Sequence, residues 1–94
     1  MAAYIIADVQ ITDTVKYDEY RKWSSAAVTA HGARVLARGG KTECLEGRAP
    51  GRIVILEFPT FEAARAFYTS AEYGRAREAR AGAAIMNMLI VDGV

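Results

Sequence analysis

Hydrophobic positions fall into four strand-like runs along the chain and repeat at spacings of three and four in the stretches between them. In residues 3–11, Ile5, Ala7, Val9 and Ile11 fall on one pleat face and Tyr4, Ile6, Asp8 and Gln10 on the other, which predicts a first strand. Thr12-Asp13-Thr14 then signals a helix start, with Asp13 or Thr14 as N-cap. Asp18 and Glu19 follow in or near the first turn, where carboxylates suit the helix dipole. Tyr17, Tyr20, Ser24, Ala27 and His31 make one helical face, and Gly32 is the expected stop.

A second strand is expected to begin at Ala33–Arg38, to be kinked at Gly39-Gly40 and to resume over Lys41–Glu46. A tight hairpin at the glycine pair, giving five strands rather than four, is the alternative. Gly47-Arg-Ala-Pro-Gly51 is the clearer hairpin signal and leads into Arg52–Phe58. That strand is apolar on both faces, with Ile53 and Ile55 on one side and Val54, Leu56 and Phe58 on the other, so it needs cover on both. Pro59 ends it, and Thr60 caps a second helical region in which Phe61, Ala64, Phe67 and Tyr68 form the buried face. This region is expected to break near Ser70 and restart through Tyr73 to Ala81, before a last strand over residues 85–91.

The order is strand, helix, strand, strand, helix, strand. Both helical regions can lie on one face of an antiparallel four-stranded sheet, an α+β sandwich of ferredoxin-like βαββαβ type. Two helical regions cover one sheet face, so the other is expected to be covered by a second copy of the chain. The 94 residues fit one domain, 1–94, which buries little surface alone and gains from dimerisation. Twelve basic and eleven acidic side chains give a net charge of +1, which supplies no electrostatic footprint for nucleic acid or an anionic membrane. No apolar run approaches spanning length, and the N-terminal stretch lacks a basic region and meets Asp8, unlike a signal peptide. The single cysteine, Cys44, cannot form an internal disulfide, and a reducing cytoplasm is the expected setting.

Five short motifs stand in order along the chain: Asp13-x3-Tyr17-x2-Tyr20, Ala37-Arg38-Gly39-Gly40, Leu45-Glu46-Gly47, Leu56-Glu57-Phe58-Pro59, and Phe67-Tyr68-x-Ser70-x2-Tyr73. Together they resemble the bacterial family catalogued as domain of unknown function 1330, over essentially the whole chain. The resemblance implies a dimeric α/β-barrel, two ferredoxin-like subunits with their sheets packed face to face. It implies no activity. The wider superfamily includes cofactor-free monooxygenases of aromatic substrates, lactone isomerases and haem-degrading enzymes. The Asn, Trp and His set of the haem-degrading branch is not matched, because Trp23 and His31 both fall on the first helix and the first strand carries Asp8.

The candidate chemistry is sparse. Arg38 precedes the glycine pair, where a backbone without Cβ atoms lets a ligand approach Gly39 and Gly40 and a guanidinium can hold a carboxylate bidentately. The alternative is a solvated or paired arginine, with Glu57 or Glu43 as partner. Glu57 is the one charge inside an apolar strand, either ion-paired or poised for proton transfer. The family-like pattern suggests Arg38 and Arg80 as its partners. Asp8 is the comparable acid of the first strand, and the two form an acid/base pair if one cavity holds both. His31 is the only histidine, either dipole-stabilised at a helix C-terminus or a proton carrier. Among the aromatic residues of the helices, which mostly pack cores, Tyr20 and Tyr68 are chosen as cavity lining. Arg65, Arg75, Arg77 and Arg80 alternate with Glu62, Glu72 and Glu78 as an exposed paired face. No His or Cys pair has metal-ligand spacing and no phosphate loop is present, so neither a metal nor a cofactor is expected. The chemistry that remains is a cofactor-independent enzyme acting on a small aromatic or carboxylate compound in a cleft between helices and sheet. A non-catalytic ligand-binding dimer, or a structural one, is the alternative.

Overall fold

The computed structural model describes all 94 residues, Met1–Val94. Seven elements follow in order: β1 (Ala3–Ile11), α1 (Thr14–Ala30), β2 (Arg34–Arg38), β3 (Arg52–Phe58), α2 (Phe61–Thr69), α3 (Ala71–Ala79) and β4 (Ala84–Asp92). The four strands form one antiparallel sheet in the order β2-β3-β1-β4, as a ferredoxin-like fold requires.

Local chemistry sets the helix ends. Asp13 is the N-cap of α1, its carboxylate accepting from the Lys16 amide at 3.1 Å. The first turn carries no acid; Asp18 and Glu19 sit one turn later and pair with Arg21 and Lys22 at i,i+3. The His31 amide closes α1 on the Ala27 carbonyl, and Gly32, at φ 64°, turns the chain away. Ser70 both ends α2 and starts α3. Its hydroxyl donates to the Phe67 carbonyl at 2.6 Å and accepts from the Tyr73 amide at 3.1 Å, which splits the second helical region in two.

The alternation in the strands sorts the sheet into a covered and an open face. Ile5, Ala7 and Val9 stand beside Leu56, Val54 and Arg52 of β3 and Ile90, Met88 and Met86 of β4, all on the side where the helices lie. The core on that side is completed by Tyr17, Tyr20 and Ala27 of α1, Ala64 and Phe67 of α2, and Tyr73 and Ala76 of α3. On the other side Tyr4, Ile6 and Asp8 stand beside Glu57, Ile55 and Ile53, and beside Val91, Leu89 and Asn87. Nothing covers this face, and Ile85 and Leu89 are more than half exposed.

The expected course of residues 33–47 is corrected in two respects. The bulge lies at Leu36, upstream of the glycine pair, where the β2–β3 register shifts between Val35 and Ala37. The chain then leaves the sheet at Gly39-Gly40, and residues 41–46 form neither a resumed strand nor a hairpin arm. Gly39 makes one last ladder bond, to the Ile53 carbonyl at 2.8 Å, at φ 67°. A left-handed residue cannot continue a strand. The segment beyond it is exposed throughout, with too few apolar side chains to reward further pairing.

Candidate functional site

The covered face is not fully packed. A cleft of about 130 Å³ opens between α1 and the sheet. Its floor is Ile5, Ala7, Val54, Leu56, Met86 and Met88, and its far wall is Tyr17, Tyr20, Phe67 and Tyr73. Ser24, Ser25 and Val28 of α1 line one side, and the guanidinium groups of Arg21, Arg38 and Arg52 close the polar end. No carboxylate lines it.

Strand register explains the arginines. Arg52 is opposite Val9 and Arg38 is opposite Val54, so both point to the helix side. Arg52 lies across Gly39, whose Cα it approaches so closely that a Cβ there would collide with the guanidinium. Gly39 is thus needed twice, for its left-handed φ and for this close passage. The Nε of Arg52 is buried and has no hydrogen-bond partner. Its guanidinium also neighbours the Tyr17 hydroxyl and favours that phenol's ionised form, but burial outweighs it and the Tyr17 pKa is raised.

The tyrosines form a short polar chain inside the aromatic wall. The Tyr20 and Tyr73 hydroxyls share a 2.8 Å hydrogen bond, and the Tyr73 hydroxyl reaches the Met88 sulfur at 3.5 Å. Burial, above all, pushes the Tyr20 phenol far above its usual value near 10, with the adjacent Tyr73 adding to it. Both phenols with raised values therefore stay protonated at neutral pH and act as hydrogen-bond donors, not bases. The sign of the pH dependence follows. Above pH 10 the unfolded chain gives up the Tyr20 proton while the folded one keeps it, so stability is present below that pH and falls as pH rises further. Urea unfolding at pH 9 and pH 11 is expected to show this loss, and Tyr20→Phe should show less of it. An equal loss in both proteins would place the alkaline sensitivity elsewhere.

The other sequence-derived candidates lie outside the cleft. Asp8 and Glu57 do share a face, but it is the open one, across the sheet from the cleft. Glu57 is level with Tyr4, four residues from Asp8 along β1, so the two stand roughly 13 Å apart and form no pair. Asp8 accepts from the Gly51 amide at 2.9 Å and anchors the return of the β2–β3 loop. Glu57 pairs with Arg34 at 3.7 Å, not with Arg38 or Arg80, because Arg34 is the β2 residue opposite it. His31 caps α1, meets Glu72 at 2.8 Å and stacks edge-on against Phe67 with centroids 5.8 Å apart, joining α1 to α3. Tyr68 faces a second cavity and carries the Arg77 guanidinium 4.8 Å over its ring. Arg80 caps α3 with its guanidinium 5.9 Å from the Tyr20 ring centre, behind the cleft wall. Gly40 has open space where a side chain would stand. Of the expected ligand residues, Arg38 and Tyr20 thus line the cleft, and Gly39 lies under the Arg52 guanidinium beside it. Arg52 and Tyr17 were not singled out in the sequence; the signal available was the cation at the first position of an apolar strand.

Residues 2–94 match the family described as Domain of unknown function (DUF1330). The chain belongs to that family. In fold this DUF1330 chain is similar to a protein of unknown function from Rhodopseudomonas palustris, at 17% identity and a TM-score of 0.77, covering 99% of this chain and 82% of that one. It is also similar to a dimeric protein of unknown function and ferredoxin-like fold from Bacteroides fragilis, at 11% identity and a TM-score of 0.67, covering 98% and 96%. A third likeness is to SnoaB, a cofactor-independent oxygenase from Streptomyces nogalater, at 7% identity and a TM-score of 0.64, covering 99% and 93%. At these identities the likenesses establish the fold. No curated protein matches the chain. No group of three His, Cys, Asp or Glu side chains is arranged to hold a metal ion, and no helix is long and apolar enough to cross a membrane.

Proposed function

We propose that this DUF1330 protein is a single-domain homodimeric enzyme, without a bound metal or organic cofactor, acting on a small anionic aromatic compound in the cleft of each subunit. The observation that carries the reading is Arg52. Its guanidinium lines an aromatic-walled cavity that holds no carboxylate to neutralise it, and its buried Nε finds no acceptor within the chain. With Arg38 and Arg21 beside it and no carboxylate to neutralise them, the complement is an anion on an apolar body. The same groups stabilise an oxyanion that develops on the ring, and the Tyr73 hydroxyl becomes a donor to the ligand when it leaves the Met88 sulfur. The likeness to a cofactor-independent oxygenase supports this reaction class. The single, exposed Cys44 suits the reducing cytoplasm as its compartment.

The test is calorimetric unfolding with benzoate and salicylate against benzamide, a neutral analogue of similar shape. A ligand at one hundred times its dissociation constant adds about 2.7 kcal/mol, and each kcal/mol raises the midpoint by roughly 4–8 °C for a domain of this size. Shifts with the acids and none with the amide are expected. Equal shifts with all three would show that the arginines do not select the anion. A non-catalytic ligand-binding dimer is the second reading, favoured by the lack of a carboxylate or imidazole base in the lining. Tight binding with no product by mass spectrometry, in air and with every binding acid, would select it.

Dimerisation uses the open face. Ile6, Ile53, Ile55, Ile85, Leu89 and Val91 make an apolar surface that water covers in a monomer. Light scattering at micromolar concentration should give twice the chain mass, and Ile55→Lys, at the middle of that face, should give the monomer. A monomeric parent protein would remove the dimer from the proposal.

A further inference from the structure

We infer that the ligand is amphipathic, with its anionic aromatic head in the cleft and an apolar tail that passes Met88 into a second cavity beside β4. The inference rests on the proposed reading of the cleft as an anion site and extends it to the shape of the compound.

The second space, about 310 Å³, is more open than the cleft, and every residue that lines it is hydrophobic: Ile5, Tyr68, Met88, Leu89 and Ile90. Two of these, Ile5 and Met88, also line the cleft, so they form the partition between the spaces. They are not equal as barriers. Ile5 is fully buried on a strand paired on both sides, and its β-branched side chain is stiff. Met88 is only partly buried and belongs to β4, an edge strand. Its unbranched side chain has three rotatable bonds and repacks readily. Beyond its packing against the core, its one polar contact is from the Tyr73 hydroxyl to sulfur at 3.5 Å, a weak acceptor. Releasing that contact gives up only a weak acceptor: the Tyr73 oxygen keeps its 2.8 Å hydrogen bond from Tyr20, and its proton becomes free for another acceptor.

Size and polarity favour use of both spaces. The cleft alone holds about one aromatic ring, judged by the roughly 150 Å³ cavity that accommodates benzene. Small-molecule sites generally occupy about 300–1,000 Å³, which the cleft reaches only when joined to its neighbour. Three arginines gather at the cleft and none lines the second cavity, so a ligand spanning both is charged at one end and apolar at the other.

Isothermal titration of benzoate and its 4-ethyl, 4-butyl and 4-hexyl homologues tests this. Affinity should rise with chain length, by up to about fourfold per methylene group buried. Ile90→Phe, which fills the second cavity, should flatten the dependence, and Met88→Ala should keep or steepen it. Benzoate binding with a flat or falling dependence in the parent protein would overturn the tail path while leaving the anion site standing. A slope undiminished in Ile90→Phe would overturn it too, by placing the tail on another surface. Should Ile90→Phe not fold, the parent slope and its change in Met88→Ala still decide. Failure of every acid to bind would remove the anion site and this inference together.

Discussion

Arg52→Met should abolish the binding of aromatic acids while leaving the protein folded at undiminished stability. Losing one member of a buried charge–hydrogen-bond pair with the ligand costs about 2–5 kcal/mol of affinity, so at least a thirtyfold weakening is expected. In the empty protein the balance has the other sign. The guanidinium is held against Gly39 with Nε buried and unpartnered, and such an unmade bond costs about 1–3 kcal/mol. A methionine side chain fills much of the same space without that cost, so the variant should unfold at the same urea concentration or a higher one. Titration calorimetry and urea unfolding together separate the roles. Unchanged affinity would take Arg52 out of the site. A stability loss above about 2 kcal/mol would make it a structural residue whose partner is formed within the chain. Arg52→Lys keeps the charge but loses the planar fork, and should recover only part of the affinity.

Phe67→Ala should be the most destabilising single substitution on the helix side. The ring is 1% exposed and packs against Phe58, Tyr73 and His31, with centroids at 5.2, 4.8 and 5.8 Å. It is the point where α2, α3, β3 and the end of α1 meet. Truncating a buried phenylalanine costs about 3–5 kcal/mol, through lost transfer energy and the cavity left behind. A domain of this length has about 5–14 kcal/mol in total, so about a fifth or more of its stability would go. The urea midpoint should fall with little change in slope. Phe61, on the same predicted helix face, is the control. It is only partly buried and sits under the Arg65 guanidinium at 5.3 Å, so Phe61→Ala should cost far less. Similar losses at both positions would mean that the core does not centre on Phe67.

Phe61 and Phe67 also show where sequence periodicity stops being informative. Spacing put Phe61, Ala64, Phe67 and Tyr68 on one stripe, and Ala64 and Phe67 are the two that become fully buried. A stripe says which way a helix faces; depth depends on what stands opposite. The strand calculus worked better, because a period of two admits only two arrangements. The division of β1 and β3 into their two faces, the split at Ser70 and the uncovered apolar side of the sheet were all legible. The course of residues 39–51 was not. Alternation in Lys41–Glu46 resembles a strand, but a strand exists only if a neighbour offers a ladder, and the left-handed Gly39 carries the chain out of reach of β3.

The candidate site divides along the same line. Residue chemistry marked Arg38, Gly39 and Tyr20; Arg38 and Tyr20 line the cleft, and Gly39 supports the Arg52 guanidinium that does. It marked Asp8 and Glu57 for the same reason, as polar groups in apolar strands, and they lie on the opposite face. One sequence position decides between those faces, and whether a face is cavity or open surface depends on where the helices pack. Arg52 stood in the sequence only as the first residue of an apolar strand. Register with Val9 turns it inward, and the passage over Gly39 holds it at the cleft. Local patterns of polarity, capping and backbone preference, each acting over a few residues, were enough to settle the order of strands and helices and the α+β class. Which charges meet, which lose their partners and where a space remains between packed layers are sums over residues distant in the chain, and those only the folded arrangement could decide.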